Sequence, residues 1–117
     1  MWLERYGCYS PIVHLQQTDG TSSSHRPFTS PQNARGIIDG GRVLQAIAMS
    51  YDRRHAADLP SPCQEVYLTI EVFSGTADLP ADLLADLAES VAYWRRFVPE
   101  DGVRLSEVVG VMAPSPR

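Results

Sequence analysis

Two short stretches of the chain carry side chains that could act together in metal binding or catalysis. HLQ, residues 14–16, places His14 and Gln16 two positions apart, and TIEVF, residues 69–73, places Glu71 between two branched apolar residues. A carboxylate is costly to bury without a partner, so Glu71 either faces solvent or binds a cation. Amide and carboxylate oxygens are ligands of hard ions, which makes Gln16 and Glu71 candidate ligands for magnesium or manganese. His14 has an alternative interpretation as a hydrogen-bonded histidine of the interior.

Each of these stretches is followed by a segment rich in hydroxyls and glycine. TDGTSSSHR, residues 18–26, follows the first, and SGTAD, residues 74–78, follows the second. Hydroxyls, glycine amides and a helix N-terminus all suit an anion. This composition favours a ligand loop at residues 18–26, whereas turn formation explains residues 74–78 equally well. The candidate ligand contacts in the two segments are Thr18, Asp19, His25, Arg26, Ser74 and Gly75.

The elements that must position these residues alternate between strand and helix. Period-2 and helical patterns predict strands at 12–16 and 64–73, helices at 40–55 and 80–98, a helix tail at 2–6, a short helix at 104–111 and a frayed tail at 112–117. Asp39 is the predicted N-cap of the first long helix. The second long helix should bury an apolar stripe that includes Leu84, Val91 and Trp94. Strands separated by helices favour βαβ units and a parallel sheet; the alternative is an antiparallel pair with one face in water.

Alternation along the strands divides their side chains between two faces. Val13 and Leu15 share an aliphatic face suited to packing under helices, while His14 and Gln16 share the opposite face. Glu71 lies on the polar face of the second strand. In a closed barrel the polar faces would point inward, and Gln16 and Glu71 would lie near the carboxyl ends of neighbouring strands, where TIM-barrel active sites are built.

Composition narrows the class of protein. The chain has 117 residues, a net charge of −4 and 44% hydrophobic residues, which is typical of one globular domain and argues against a nucleic-acid partner. No apolar stretch has the length of a membrane span or a signal peptide. Cys8 and Cys63 form no metal-type pair, and free thiols in a cytoplasmic protein are the simplest interpretation.

Taken together, the stretches HLQQTDGTSSSHR, EVYLTIEVFSGTAD and YWRRFVPEDG resemble the carboxyl-terminal part of a sugar phosphate isomerase/epimerase. The relatives are xylose-isomerase-like TIM barrels, including members acting on tetrulose (erythrulose) phosphates. The resemblance implies a divalent metal, manganese or magnesium, held by Gln16 and Glu71. It also implies that Glu71 is one of two carboxylates that move a proton next to a carbonyl through an enediolate. His14, as the inward neighbour of Gln16, and the pair His25 and Arg26 would contact the sugar phosphate.

The resemblance also implies that most of the barrel is absent from this sequence. A TIM barrel needs about 250 residues, and this chain would supply only the last two βα units. The expectation is therefore a partial TIM-barrel domain at 1–117, inactive alone. Two alternatives remain open. One is a stand-alone α/β module that binds a phosphorylated ligand, as a homo-oligomer that completes its sheet. The other is a non-functional truncated remnant.

Overall fold

The computed structural model describes residues 2–21, 25–52, 59–72 and 80–111. Its strands and helices, in chain order, are α1 (Trp2–Tyr6), a 3₁₀ turn (Gly7–Tyr9), β1 (Ile12–Leu15), α2 (Ser30–Arg35), α3 (Gly40–Asp52), β2 (Tyr67–Ile70), α4 (Pro80–Arg95) and α5 (Leu105–Val111). The protein is thus α/β, with helices around a small sheet, an arrangement consistent with part of a TIM barrel. Among the described helices, none is both long and apolar enough to cross a bilayer.

The sheet consists of β1 and β2, which run parallel. Ile12 pairs with Tyr67, and the register continues to Leu15 and Ile70. The prediction of parallel strands is confirmed, and the antiparallel alternative is wrong. Burial alternates along both strands as the sequence predicts: Leu15 is 4% exposed, whereas Ile12 and Tyr67 on the opposite face are 58% and 62% exposed.

Helix α3 covers the aliphatic face of the sheet because its apolar residues recur at helical spacing. Val43 and Ile47 join Leu15, Phe28 and Trp94 in the hydrophobic core. The helix begins as predicted. The Asp39 carbonyl accepts the N–H of Val43 at 3.0 Å, and the Asp39 carboxylate accepts the N–H of Arg42 at 3.0 Å. A side-chain oxygen bonded to the third helical N–H is the geometry of an N-cap.

The regular elements are shorter than the sequence suggests. Among the described residues, the strand predicted at 64–73 is regular over Tyr67–Ile70, because β1, predicted at 12–16, spans Ile12–Leu15 and offers four residues to pair with. Residue 73 lies outside the described residues. The helix predicted at 80–98 ends at Arg95, after which N–H groups bond three or four residues back, as from Phe97 to the Trp94 carbonyl at 2.9 Å. The helix predicted at 40–55 is described to Asp52. Residues 112–117, predicted as a frayed tail, lie outside the described residues.

Helix α2 lies between β1 and α3, in a segment where the sequence predicts no helix or strand. It spans Ser30–Arg35, with Thr29 in extended backbone before it and a proline in its first turn. Pro31 is tolerated there because the first helical N–H groups have no partner within the helix. The helix is too short for an apolar repeat, which is the signal that identifies longer helices.

Helix α4 buries less of its apolar stripe than predicted. Trp94 is 5% exposed, but Leu84 and Val91 are 66% and 43% exposed. The helix is anchored near its carboxyl end, where the ring of Phe28 packs edge-on against Trp94 at 5.3 Å and stacks on Tyr93 at 5.6 Å. Within the described residues no third strand lies beyond β2 to cover the rest of the stripe.

Candidate functional site

Glu71 lies directly after β2, beside the carboxyl end of β1. Its backbone N–H donates to the Leu15 carbonyl at 2.8 Å, which extends the parallel ladder by one bond and aligns Glu71 with Gln16. The carboxylate is 28% exposed and accepts two histidine rings: His25 Nε2 donates to Oε1 at 3.0 Å, and His14 Nδ1 donates to Oε2. Glu71, the predicted metal ligand and acid/base residue, is therefore held at the strand ends by two imidazoles.

Gln16 is joined to the same group of residues through His25. The Gln16 side chain is half-buried, and its Oε1 accepts the backbone N–H of His25 at 2.6 Å. His25 thus contacts both predicted metal ligands, one with its backbone and the other with its ring. It does so with a φ of 51°, in the left-handed region, which is uncommon for residues other than glycine.

His14 shares this cluster but not the environment expected of an interior histidine. Its side chain is 60% exposed, so the prediction of an interior position is wrong. The cause is the sheet itself, since the face that carries His14 and Thr69 has no layer of described residues over it. His14 and Glu71 nevertheless meet as the face alternation predicts, because both side chains project from the polar face of the paired strands.

The loop after β1 folds back on itself. Gln17 and Arg26 form an isolated antiparallel bridge, with N···O distances of 2.8 and 3.1 Å. Within the loop the Thr18 hydroxyl accepts the N–H of Gly20 at 3.1 Å, and Arg26 Nη2 lies 4.0 Å from Asp19. The Thr18, Asp19 and Arg26 side chains therefore stabilise the loop; their contact with an anion stays a prediction. Ser74 and Gly75 lie outside the described residues.

The carboxylate of Asp19 accepts two hydrogen bonds from a residue two positions further along the loop. The Thr21 hydroxyl and backbone N–H donate to Asp19 Oδ1 at 2.6 and 3.0 Å. These bonds, with a smaller contribution from the charge of Arg26, hold the pKa of the Asp19 carboxyl below its usual value, although partial burial acts in the opposite direction. The turn at residues 19–21 is thus built on an ionised carboxylate.

Gln17 is a buried residue of this region that sequence reasoning missed. It is 1% exposed, and its amide makes four hydrogen bonds: Nε2 donates to the Asn33 side chain and the Ile38 carbonyl, each at 2.9 Å, while Oε1 accepts the N–H groups of Thr18 and Ile38. A Cβ on Gly36 would lie 2.1 Å from the Gln17 amide, so a glycine is needed there. Strand alternation offered the signal, because Gln17 continues the aliphatic face, where a polar group needs partners.

The predicted metal ligands fit a hard divalent ion in their chemistry. Gln16 and Glu71 supply oxygen donors from the ends of two neighbouring strands, which is the ligand type that magnesium and manganese take. They provide part of the roughly six ligands such ions require. Within the described ranges no three His, Cys, Asp or Glu side chains are grouped to hold a metal ion. The described residues therefore offer an incomplete set of ligands.

Comparison with known proteins places these residues in a wider context. The chain is 31% identical over 93 residues to a D-erythrulose 1-phosphate 3-epimerase of Brucella abortus (strain 2308). The similarity covers 80% of this chain but only 27% of the relative, so the chain spans about a quarter of that protein's length. No family model matches the chain, and no solved structure does. The chain is thus similar to part of a sugar phosphate epimerase.

Proposed function

We propose that this chain forms part of the active site of a metal-dependent sugar phosphate epimerase and is inactive alone. The observation that carries the proposal is the placement of Glu71 beside Gln16 at the carboxyl ends of parallel strands. Active sites of α/β barrels are built from the ends of their strands. The similarity to a D-erythrulose 1-phosphate 3-epimerase supports a tetrulose phosphate as the substrate class.

Glu71 is the proposed acid/base residue. Epimerisation next to a carbonyl requires that one group remove the proton from carbon and that a group on the other side of the carbon return one, through an enediolate. Glu71 supplies one of these groups, and its contact with His14 orients the carboxylate. The second carboxylate must come from outside this chain's described residues.

The remaining predicted residues have supporting roles in the proposal. Gln16 and Glu71 would hold the divalent cation, manganese or magnesium, which when bound would polarise the substrate carbonyl. His25, Arg26, Thr18 and Asp19 would contact the sugar phosphate from the loop that the Gln17–Arg26 bridge closes. His14, Ser74 and Gly75 would complete these contacts. A cytoplasmic location, where cysteines are kept as thiols, remains part of the proposal.

A segment exchange tests the proposal. The matched quarter of the Brucella epimerase is replaced by this chain, and the hybrid is assayed with D-erythrulose 1-phosphate and manganese. We expect turnover in the hybrid and its loss in the Glu71→Gln and Gln16→Ala variants. Glu65→Gln is the matched control, because Glu65 is an exposed carboxylate that bonds the Tyr67 hydroxyl at 2.6 Å before β2 begins. Normal turnover in both site variants would refute the assignment.

The isolated chain provides a second test. We expect the 117-residue protein to show no epimerase turnover, because it provides one acid/base carboxylate and two metal ligands. Metal-dependent turnover by this chain alone would contradict the proposal. The alternative of a stand-alone binding module predicts that the isolated chain binds inorganic phosphate with measurable affinity and that Arg26 contributes to it. The fragment proposal predicts that substitution of Arg26 leaves the phosphate affinity of the isolated chain unchanged.

A further inference from the structure

His25 contacts one oxygen of each predicted metal ligand, while the other carboxylate oxygen of Glu71 accepts the ring of His14. The backbone N–H of His25 donates to Gln16 Oε1 at 2.6 Å, and its ring donates to Glu71 Oε1 at 3.0 Å. One residue therefore connects the two oxygen donors of neighbouring strands, at a φ of 51°. Backbone strain at a functional site persists only where the surroundings enforce it, and here the two contacts and the adjacent Gln17–Arg26 bridge do so.

An ion shared by Gln16 and Glu71 conflicts with this arrangement. Such an ion lies roughly 2.0–2.6 Å from each oxygen, and therefore close to the backbone and ring N–H groups of His25 that the same oxygens accept. A cation at either oxygen also repels the positively polarised hydrogen of the N–H group that this oxygen accepts, which weakens both hydrogen bonds of His25. The Gln17–Arg26 bridge keeps the backbone of residue 26 in place. Replacement of the His25 contacts by an ion therefore requires rotation of the Gln16 and His25 side chains and leaves this bridge intact.

We infer that His25 is a latch: it holds Gln16 and Glu71 when no cation is bound and is displaced when a divalent cation binds both oxygens. The inference rests on the proposed function, because it takes Gln16 and Glu71 as metal ligands. It adds that this chain carries an internal competitor for its own metal site. Cation binding then releases the His25 ring, which becomes free to contact a substrate.

Manganese titration of the Brucella hybrid that carries this chain, followed by the relaxation of water protons, tests the latch. The variant is His25→Asn, because asparagine tolerates the left-handed backbone but its side chain is too short to reach the Glu71 carboxylate. We expect His25→Asn to bind manganese about tenfold more tightly than the wild type, the effect of removing one hydrogen bond to a charged group. His25→Ala should give the same direction, and the double variant His25→Asn/Glu71→Gln should lose the gain.

The outcomes separate the latch from the proposed function. Equal manganese affinities for the wild type and His25→Asn, with binding lost on Glu71→Gln, would overturn the latch but support Glu71 as a metal ligand. Manganese binding that ignores Glu71→Gln, or no binding by any variant, would overturn the metal ligands and the latch with them. A magnesium titration followed by NMR adds a direct measurement: the His25 ring resonances should shift with the cation in the wild type and stay unchanged in Glu71→Gln.

Discussion

At the scale of single residues, the adjacent Gln16 and Gln17 have different surroundings, because they project from opposite faces of the strand. Gln16 projects from the polar face toward Glu71 and His25, while Gln17 projects toward the interior and is 1% exposed. The residue types suggested that Gln16 binds a cation, because amide and carboxylate oxygens are cation ligands, and this role stays a prediction. The partners of Gln17, Asn33 and Ile38, are distant in sequence, so only the folded chain reveals them.

Removal of the Gln17 amide should destabilise the protein. Gln17→Ala leaves the N–H groups of Thr18 and Ile38 and the Ile38 carbonyl without their partner. Buried groups left unpaired cost about 1–3 kcal/mol each, so we expect a loss of at least about 2 kcal/mol in the free energy of unfolding. Urea unfolding measures it, with Gln64→Ala as the exposed control. An unchanged midpoint for Gln17→Ala would refute the role assigned to this side chain.

Asp19 should titrate below the ordinary aspartate pKa of 3.8, because Thr21 donates two hydrogen bonds to its ionised form. A depressed folded-state pKa means that the turn's contribution to stability is fully present above the ordinary pKa and is lost as the pH falls through the lower folded-state value. Carbon-13 NMR of the carboxyl group measures the pKa. Thr21→Ala should raise it toward the ordinary value; an Asp19 pKa at or above 3.8 in the wild type would contradict this account.

At the scale of elements, the sequence predicted the strands and helices whose apolar residues repeat regularly, and it missed helix α2, which has no such repeat. Alternating residues in β1 and β2 and helical spacing in α3 identified these segments and their buried faces, while α2 has no such pattern. The site was predictable to the same degree: face alternation placed Gln16 and Glu71 together. The role of His25 was not predictable, because its contacts depend on a left-handed backbone and a loop closed by the Gln17–Arg26 bridge.

A buried hydroxyl of α4, that of Ser90, helps to hold the segment after this loop. Ser90 is fully buried, accepts the N–H of Phe28 at 2.8 Å and donates to the Asp86 carbonyl at 2.7 Å. Ser90→Ala leaves a buried N–H unpaired, and we expect a loss of about 1–3 kcal/mol in the free energy of unfolding. Urea unfolding checks this, with the exposed Ser106→Ala as its matched control. Equal stability of the two variants would show that Ser90 does not anchor the segment.

At the scale of the whole molecule, the sheet is incomplete by the standards of its class. Parallel sheets are normally covered on both faces, whereas Ile12 and Tyr67 are 58% and 62% exposed on the polar face. Two paired strands also leave both edges of the sheet without a neighbouring strand in the described part of the chain. These features agree with a chain that spans 27% of the epimerase it resembles.

We expect the isolated chain to self-associate through this sheet, because exposed strand edges and apolar residues pair with other copies. Analytical ultracentrifugation over a range of concentrations should show dimers or larger species. Ile12→Lys should shift the protein toward monomer, since a charge on an edge strand opposes pairing. Ile37→Lys is the control, because Ile37 is 61% exposed and lies away from the strands. A monomer at every concentration, or equal effects of the two lysines, would exclude association through the sheet.

The central claim is that Glu71 moves a proton next to the carbonyl of a sugar phosphate. The most direct measurement is exchange of deuterium from solvent into D-erythrulose 1-phosphate by the Brucella hybrid that carries this chain. Exchange reports proton transfer at carbon separately from binding and product release. The account predicts exchange in the hybrid and in Glu65→Gln, and a loss of at least about a hundredfold in Glu71→Gln, the lower end of a general acid/base contribution. Undiminished exchange in a folded Glu71→Gln hybrid would contradict it.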